Sequence, residues 1–153
     1  PDYITHVEEG GFYGWPWYYI GGNQDPHHAG KRPELKATTI VPDVLLQPHS
    51  ASLQMLFYDG KQFPVEYSGD IFAAQHGSWN KAVRTGYSVL RVPMRDGRAT
   101  GEYEVFLSGF VVDADHVWGR PVGVAVAKDG ALLVSDDGSN SIWRVSYAAA
   151  AKR

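Results

Sequence analysis

From Thr38 onward the apolar positions come in short runs broken by Gly-containing turns, the period-two pattern of strands with one or both faces buried. The runs predict strands over residues 52–58, 69–75, 86–92 and 102–107, with Asp59-Gly60 and Arg95-Asp96-Gly97 as turns, so that one antiparallel meander fills residues 52–107. A link over residues 108–120 leads to three more strands, 122–127, 131–135 and 141–147, joined by the Asp129-Gly130 turn and a loop over 136–140. Within this pattern Ile71-Phe72-Ala73-Ala74-Gln75 reads as a buried strand that opens abruptly into His76-Gly77-Ser78-Trp79-Asn80.

The first part of the chain does not alternate in this way. Seven aromatic residues lie between Tyr3 and Tyr19, but Gly10-Gly11, Gly14 and Pro16 interrupt them, and a proline cannot donate to a central ladder. The expectation is a turn segment packed by its aromatic rings. Residues 23–36 read as a polar loop, in which His27-His28 lacks a third ligand at a useful spacing for a metal.

The two sets of strands resemble each other. Asp59-Gly60 answers Asp129-Gly130, His76-Gly77-Ser78 answers Asp137-Gly138-Ser139, and Arg91-Val92 answers Arg144-Val145, a recurrence of 53 to 70 residues. Four-stranded units repeated at roughly this spacing are the signature of propeller blades, which run ~40–50 residues each. The reading is all-β: the C-terminal blades of a β-propeller, a partial ring of four-stranded antiparallel meanders. Residues 1–51 form the end of a preceding blade and the aromatic loop segment, 52–107 one four-stranded blade, and 121–147 three strands of the last blade. The absent fourth strand, and a start at Pro1-Asp2-Tyr3 without Met, lead us to expect that the upstream part of a longer protein is missing, and with it the N-terminal blades that would partner this stretch.

Alternate connections of an antiparallel sheet emerge at the same end. The loop at Gln47-Pro48-His49-Ser50 and the loop over 76–85 therefore share one end of the first meander, and Trp118-Gly119-Arg120-Pro121 shares an end with Asp136-Asp137-Gly138-Ser139-Asn140 in the second. If both sheets surround one axis, the four loops form one mouth holding His49, His76, Trp79, Asn80, Lys81, Arg84, Arg120, Asp136 and Asp137. Lys and Arg bind carboxylates there and Trp offers a flat apolar face, so a planar polyanion suits the mixture. One of Asp136 and Asp137 is expected to serve only as a turn former.

Composition narrows the classes. Fourteen basic against seventeen acidic residues, with no basic block, speak against nucleic acid as a partner. No apolar run approaches the roughly 20 residues that span a bilayer, and no signal-peptide pattern opens residues 1–153. Zero cysteines exclude disulfides and thiolate metal sites.

The motifs Gly10-Gly11-Phe12-Tyr13-Gly14-Trp15-Pro16, Pro48-His49-Ser50-Ala51, His76-Gly77-Ser78-Trp79-Asn80, Gly119-Arg120-Pro121-Val122-Gly123-Val124-Ala125 and Leu133-Val134-Ser135-Asp136-Asp137, in this order, closely resemble the glucose/sorbosone dehydrogenase family, in particular its sorbosone dehydrogenase-like branch. The resemblance implies a six-bladed propeller, periplasmic or secreted, that binds pyrroloquinoline quinone and calcium at its mouth. It also implies oxidation of a sugar or related alcohol or aldehyde, with hydride passing to the quinone. Arg120 matches a family arginine that holds the cofactor's carboxylates, Lys81 and Arg84 both sit where a cofactor-binding lysine is expected, and Asp136 falls near a family acidic residue. Trp79, Asn80, His49 and His76 are expected beside them in the cofactor wall. The family's general-base histidine and its calcium-contacting segment lie upstream of the aromatic motif. No catalytic residue and no metal ligand is therefore expected in this chain, which alone should be inactive. Two alternatives stand beside this reading: a non-catalytic propeller module binding carbohydrate or protein, and a calcium-dependent lactonase-like propeller, for which only Asp136 and Asp137 offer acidic ligands.

Overall fold

The structure, a computed structural model, describes residues 2–148. Its strands in chain order are β1 (Asp2–Ile4), β2 (Tyr18–Tyr19), β3 (Asn23–Gln24), β4 (Val44–Leu46), β5 (Ser52–Phe57), β6 (Ile71–Gln75), β7 (Ser88–Val92), β8 (Met94–Arg95), β9 (Arg98–Ala99), β10 (Glu104–Leu107), β11 (Pro121–Val126), β12 (Leu132–Asp136) and β13 (Ser141–Val145). The helical residues are confined to 3-10 turns at Pro26–His28, Pro33–Thr38 and Val65–Tyr67, so the all-β expectation holds. No helix among the described residues is long and apolar enough to cross a membrane.

A four-stranded antiparallel sheet in the order β10-β7-β6-β5 and a three-stranded one in the order β11-β12-β13 reproduce the two meanders read from the sequence. The boundaries differ where the backbone turns left-handed. β7 begins at Ser88 rather than at 86 because Gly86 and Tyr87 have φ of 79° and 55°, outside the strand region. Asp59-Gly60 does not close a tight hairpin. The β5–β6 connection instead runs over residues 58–70, with the Val65–Tyr67 turn inside it, because Phe63 folds under the sheet to stack on Tyr58 at 4.9 Å between ring centroids. Arg95-Asp96-Gly97 sits at the tip of a small hairpin of its own, β8 with β9.

In the first part of the chain β1 pairs antiparallel with β4, Asp2 opposite Leu46 and Ile4 opposite Val44, and the intervening segment carries the β2–β3 ribbon. The polar loop expected over 23–36 is more ordered than its composition suggests. Pro26 and Pro33 each start a 3-10 turn, and Asp25 caps the first by accepting from the His27 N–H at 2.8 Å.

β6 is buried along its whole length because it lies between two apolar layers. Phe72 and Ala74 point with Tyr58, Phe63 and Val89 towards Val124, Leu132 and Val134 of the three-stranded sheet. Ile71 and Ala73 point with Leu90 and Val92 towards Ile4, Val44 and Leu46 of the β1–β4 pair. Period-two alternation with both faces apolar is what a central strand between packed layers requires. Tyr58 also ties the two larger sheets: its hydroxyl donates to the Gly130 carbonyl at 2.6 Å and accepts from the Phe63 N–H at 3.1 Å.

Candidate functional site

The loops grouped by strand parity do meet at one end of the sheets. The His76 and Gly77 N–H groups donate to the carbonyls of Ala51 and Ser50, and the Thr85 hydroxyl donates to the Pro48 carbonyl at 3.1 Å, so the 47–51 loop lies against the 76–86 loop. Asp2 holds the first of these from below, accepting from the N–H groups of Ser50 and Ala51 at 2.5 and 3.1 Å. Between the two sheets Arg120 donates from Nε to the His76 carbonyl and from Nη2 to the Gly77 carbonyl, each at 3.2 Å. His76 Nε2 meets both carboxylate oxygens of Asp137 at 2.9 and 3.1 Å.

Asp136 organises the second pair of loops from within. It is 3% exposed. One of its oxygens accepts from the N–H groups of Arg120 at 2.7 Å, Gly138 at 2.9 Å and Ser139 at 3.1 Å, and the other from the Trp143 indole at 2.9 Å. Burial pushes this carboxyl up, but the Arg120 N–H, the Trp143 indole and Ser139 outweigh it and hold the group below the ordinary aspartate value. The turn former of the Asp136-Asp137 pair is thus Asp136, while Asp137 reaches across to His76. The segment before β11 fits closely over this carboxylate. A Cβ on Gly119 would lie 2.4 Å from the Asp136 Oδ2 and 2.5 Å from the Phe110 ring, so only glycine is accommodated.

The cations of this end are held by carbonyls and not by carboxylates. Arg84 donates to Ala114 O at 2.8 Å, Asp115 O at 3.3 Å, Ser78 O at 3.4 Å and the Tyr87 hydroxyl at 3.3 Å, which pins the 108–120 link to the 76–86 loop. Arg120 lies over the face of Tyr87, 5.7 Å from the ring centroid. None of the ion pairs among the described residues uses Lys81, Arg84 or Arg120. Two of the five N–H groups of Arg120 are engaged in this way, and the other three have no partner among the described residues.

His49 is exposed in the 47–51 loop with a left-handed backbone, φ 66°, and Trp79 and Asn80 are exposed at the tip of the 76–86 loop. The structure therefore brings His76, Arg84, Arg120 and Asp136 into one bonded network, and leaves His49, Trp79 and Asn80 exposed and Lys81 half-buried with no hydrogen bond among the described residues. Sequence reasoning missed Tyr87, whose hydroxyl bonds the Ser78 carbonyl beneath Arg120. Its only signal was Gly86, the residue that lets the chain reverse before β7. Among the described residues no three His, Cys, Asp or Glu side chains come together to hold a metal ion, and His27 and His28 share in no such cluster.

Residues 26–148 match the family model described as TrAA12-like. The chain is 34% identical over 146 residues to an uncharacterized protein of Borreliella burgdorferi, covering 94% of this chain and 38% of that protein. It is 29% identical over 128 residues to a pyrroloquinoline quinone-dependent pyranose dehydrogenase of Coprinopsis cinerea, covering 70% of this chain and 16% of that protein. Among solved structures, the holo form of the pyranose dehydrogenase PQQ domain from Coprinopsis cinerea superposes with a TM-score of 0.58 at 26% identity, over 89% of this chain and 40% of that one. A Trichoderma reesei member of carbohydrate-active enzyme family AA12 superposes with a TM-score of 0.66 at 22% identity, over 87% and 38%, a likeness of fold. The chain thus spans two fifths or less of the length of these relatives.

Proposed function

The chain belongs to the TrAA12-like family, and its expected kinship with quinone-dependent sugar dehydrogenases holds; on that premise we propose that it contributes the cofactor grip of a dehydrogenase oxidising a sugar or related alcohol or aldehyde. The observation that carries this reading is the approach of Arg84 and Arg120 to Tyr87, neither in an ion pair among the described residues, where four loops converge. Pyrroloquinoline quinone is planar and carries three carboxylates, and these residues fit it. Arg120 presents free N–H groups on a fixed guanidinium, Lys81 is uncommitted, and Arg84 adds positive charge while holding the wall in place. When bound, the quinone accepts the substrate's hydride.

The chain's own residues bind, orient and enclose. Asp136 fixes the backbone of Arg120, the carbonyls of His76 and Gly77 aim its side chain, and the His76–Asp137 pair closes the seam between the sheets. His76 is engaged in that seam, so we assign it no base role, and the proton acceptor and the calcium ligands are proposed to come from outside this stretch. The same reading places the two larger sheets as blades of a six-bladed propeller, in the periplasm or outside the cell. The exposed Leu53, Met55 and Phe57 on β5 support further blades as neighbours.

Calorimetric titration of the full-length protein with pyrroloquinoline quinone and calcium tests the reading. Saturable binding that weakens in R120A is expected, and absence of binding would favour a non-catalytic carbohydrate or protein module. Quinone-dependent turnover by residues 1–153 alone would overturn the outside origin of the base.

A further inference from the structure

Resting on the quinone-dependent reading, we infer that Trp79 is the platform on which the substrate's pyranose ring stacks, and not part of the cofactor wall. Ser78, the preceding residue, is buried and tied at every polar group. Its N–H donates to the Thr85 carbonyl at 2.9 Å, its hydroxyl accepts from the Thr85 N–H at 3.1 Å, and its carbonyl accepts from Arg84 and from the Tyr87 hydroxyl. The base of the loop is rigid. One residue further on, Trp79 is 80% exposed, with no aromatic partner and no bond to its indole N–H among the described residues. A large apolar ring carried on a fixed base and open on its faces is accessible to a partner that arrives from solvent.

The chemistry of that partner follows from its surroundings. The indole face takes the apolar C–H face of a sugar ring, and Asn80, exposed beside it, offers both donors and an acceptor for ring hydroxyls. The quinone is a poor occupant of this lip. A group that receives hydride has to be shielded from water, and the shielded wall is the one formed by Arg120, Tyr87 and the carbonyls of His76 and Gly77, two and three residues inward. The cofactor therefore sits against Arg120 and the sugar enters over Trp79.

The test separates sugar from cofactor in the full-length protein. Without cofactor, tryptophan fluorescence is followed during titration with D-glucose, D-galactose, D-mannose and D-xylose, with acyclic sorbitol as control. Wild type should respond saturably to at least one pyranose and not to sorbitol, and the response should vanish in W79A. With cofactor bound, W79A should raise KM about tenfold with kcat within about twofold, and W79F should fall between, the pattern of lost ground-state binding. Quinone affinity, titrated separately, should stay within about twofold of wild type. A response to no pyranose, a pyranose response kept in W79A, or a quinone affinity that falls with the sugar response would each overturn the platform. Wild type that binds no quinone would overturn the reading on which it rests.

Discussion

Two arginines on neighbouring sheets are anchored in opposite ways. Arg91 on β7 closes on the carboxylates of Asp70 and Glu104 at 2.6 and 2.7 Å and lies 3.9 Å from the centroid of the Tyr67 ring, so its charge is neutralised within the flank of the central sheet. Arg120, at the mouth, is fixed by two carbonyls and the face of Tyr87 and by no carboxylate, an anchoring that orients the guanidinium without cancelling its charge. Pairing spends a cation on stability, whereas carbonyl anchoring leaves it available to an anionic ligand at the cost of a weaker internal bond.

Substitutions should pull these two roles apart. R91A leaves the buried Asp70 carboxylate without its cation, and a loss of about 3–5 kcal/mol in unfolding free energy is expected by denaturant titration, with quinone affinity unchanged. R120A should do the reverse: about a hundredfold weaker quinone binding, about 2.7 kcal/mol, with a melting temperature close to wild type. An R120A protein that unfolds as readily as R91A would erase the contrast. D136N belongs to both sides, because it turns an amide towards the Trp143 indole and loosens the backbone of Arg120; about 1–3 kcal/mol of stability should go together with part of the quinone affinity. The acid limb sharpens this case. Folding lowers the Asp136 carboxyl, so its contribution is complete above the unfolded value of about 3.9 and is lost as the pH falls below it towards the folded value. D136N should flatten that part of the acid-unfolding profile. R144A, which removes the exposed pair with Asp129, should leave both readouts unmoved.

The strands of the two larger sheets were legible because alternation and turn residues are local signals, and strand parity then grouped the loops correctly. The β1–β4 pairing was not. Its partners lie some forty residues apart with no repeat to announce them, and such contacts are set by the packing of Ile4, Val44 and Leu46 on the central sheet. At the site, the sequence named Arg84, Arg120 and His76 but could not tell a group turned inward from one turned outward. Asp136 and Asp137 are chemically identical neighbours. One is buried under four donors and the other crosses the seam, a difference decided by the reversal after β12 and by the glycine at 119 that lets the chain close over it.

The hydroxyl of Tyr58, wedged between the Phe63 N–H and the Gly130 carbonyl, makes the two larger sheets one unit of unfolding. Neither sheet can open at the end away from the mouth without stranding a buried phenol, so partial opening there has no low-energy route. The amide hydrogens of Phe63 and of β12 should accordingly exchange with solvent at a common slow rate, while those of the β2–β3 ribbon exchange on their own.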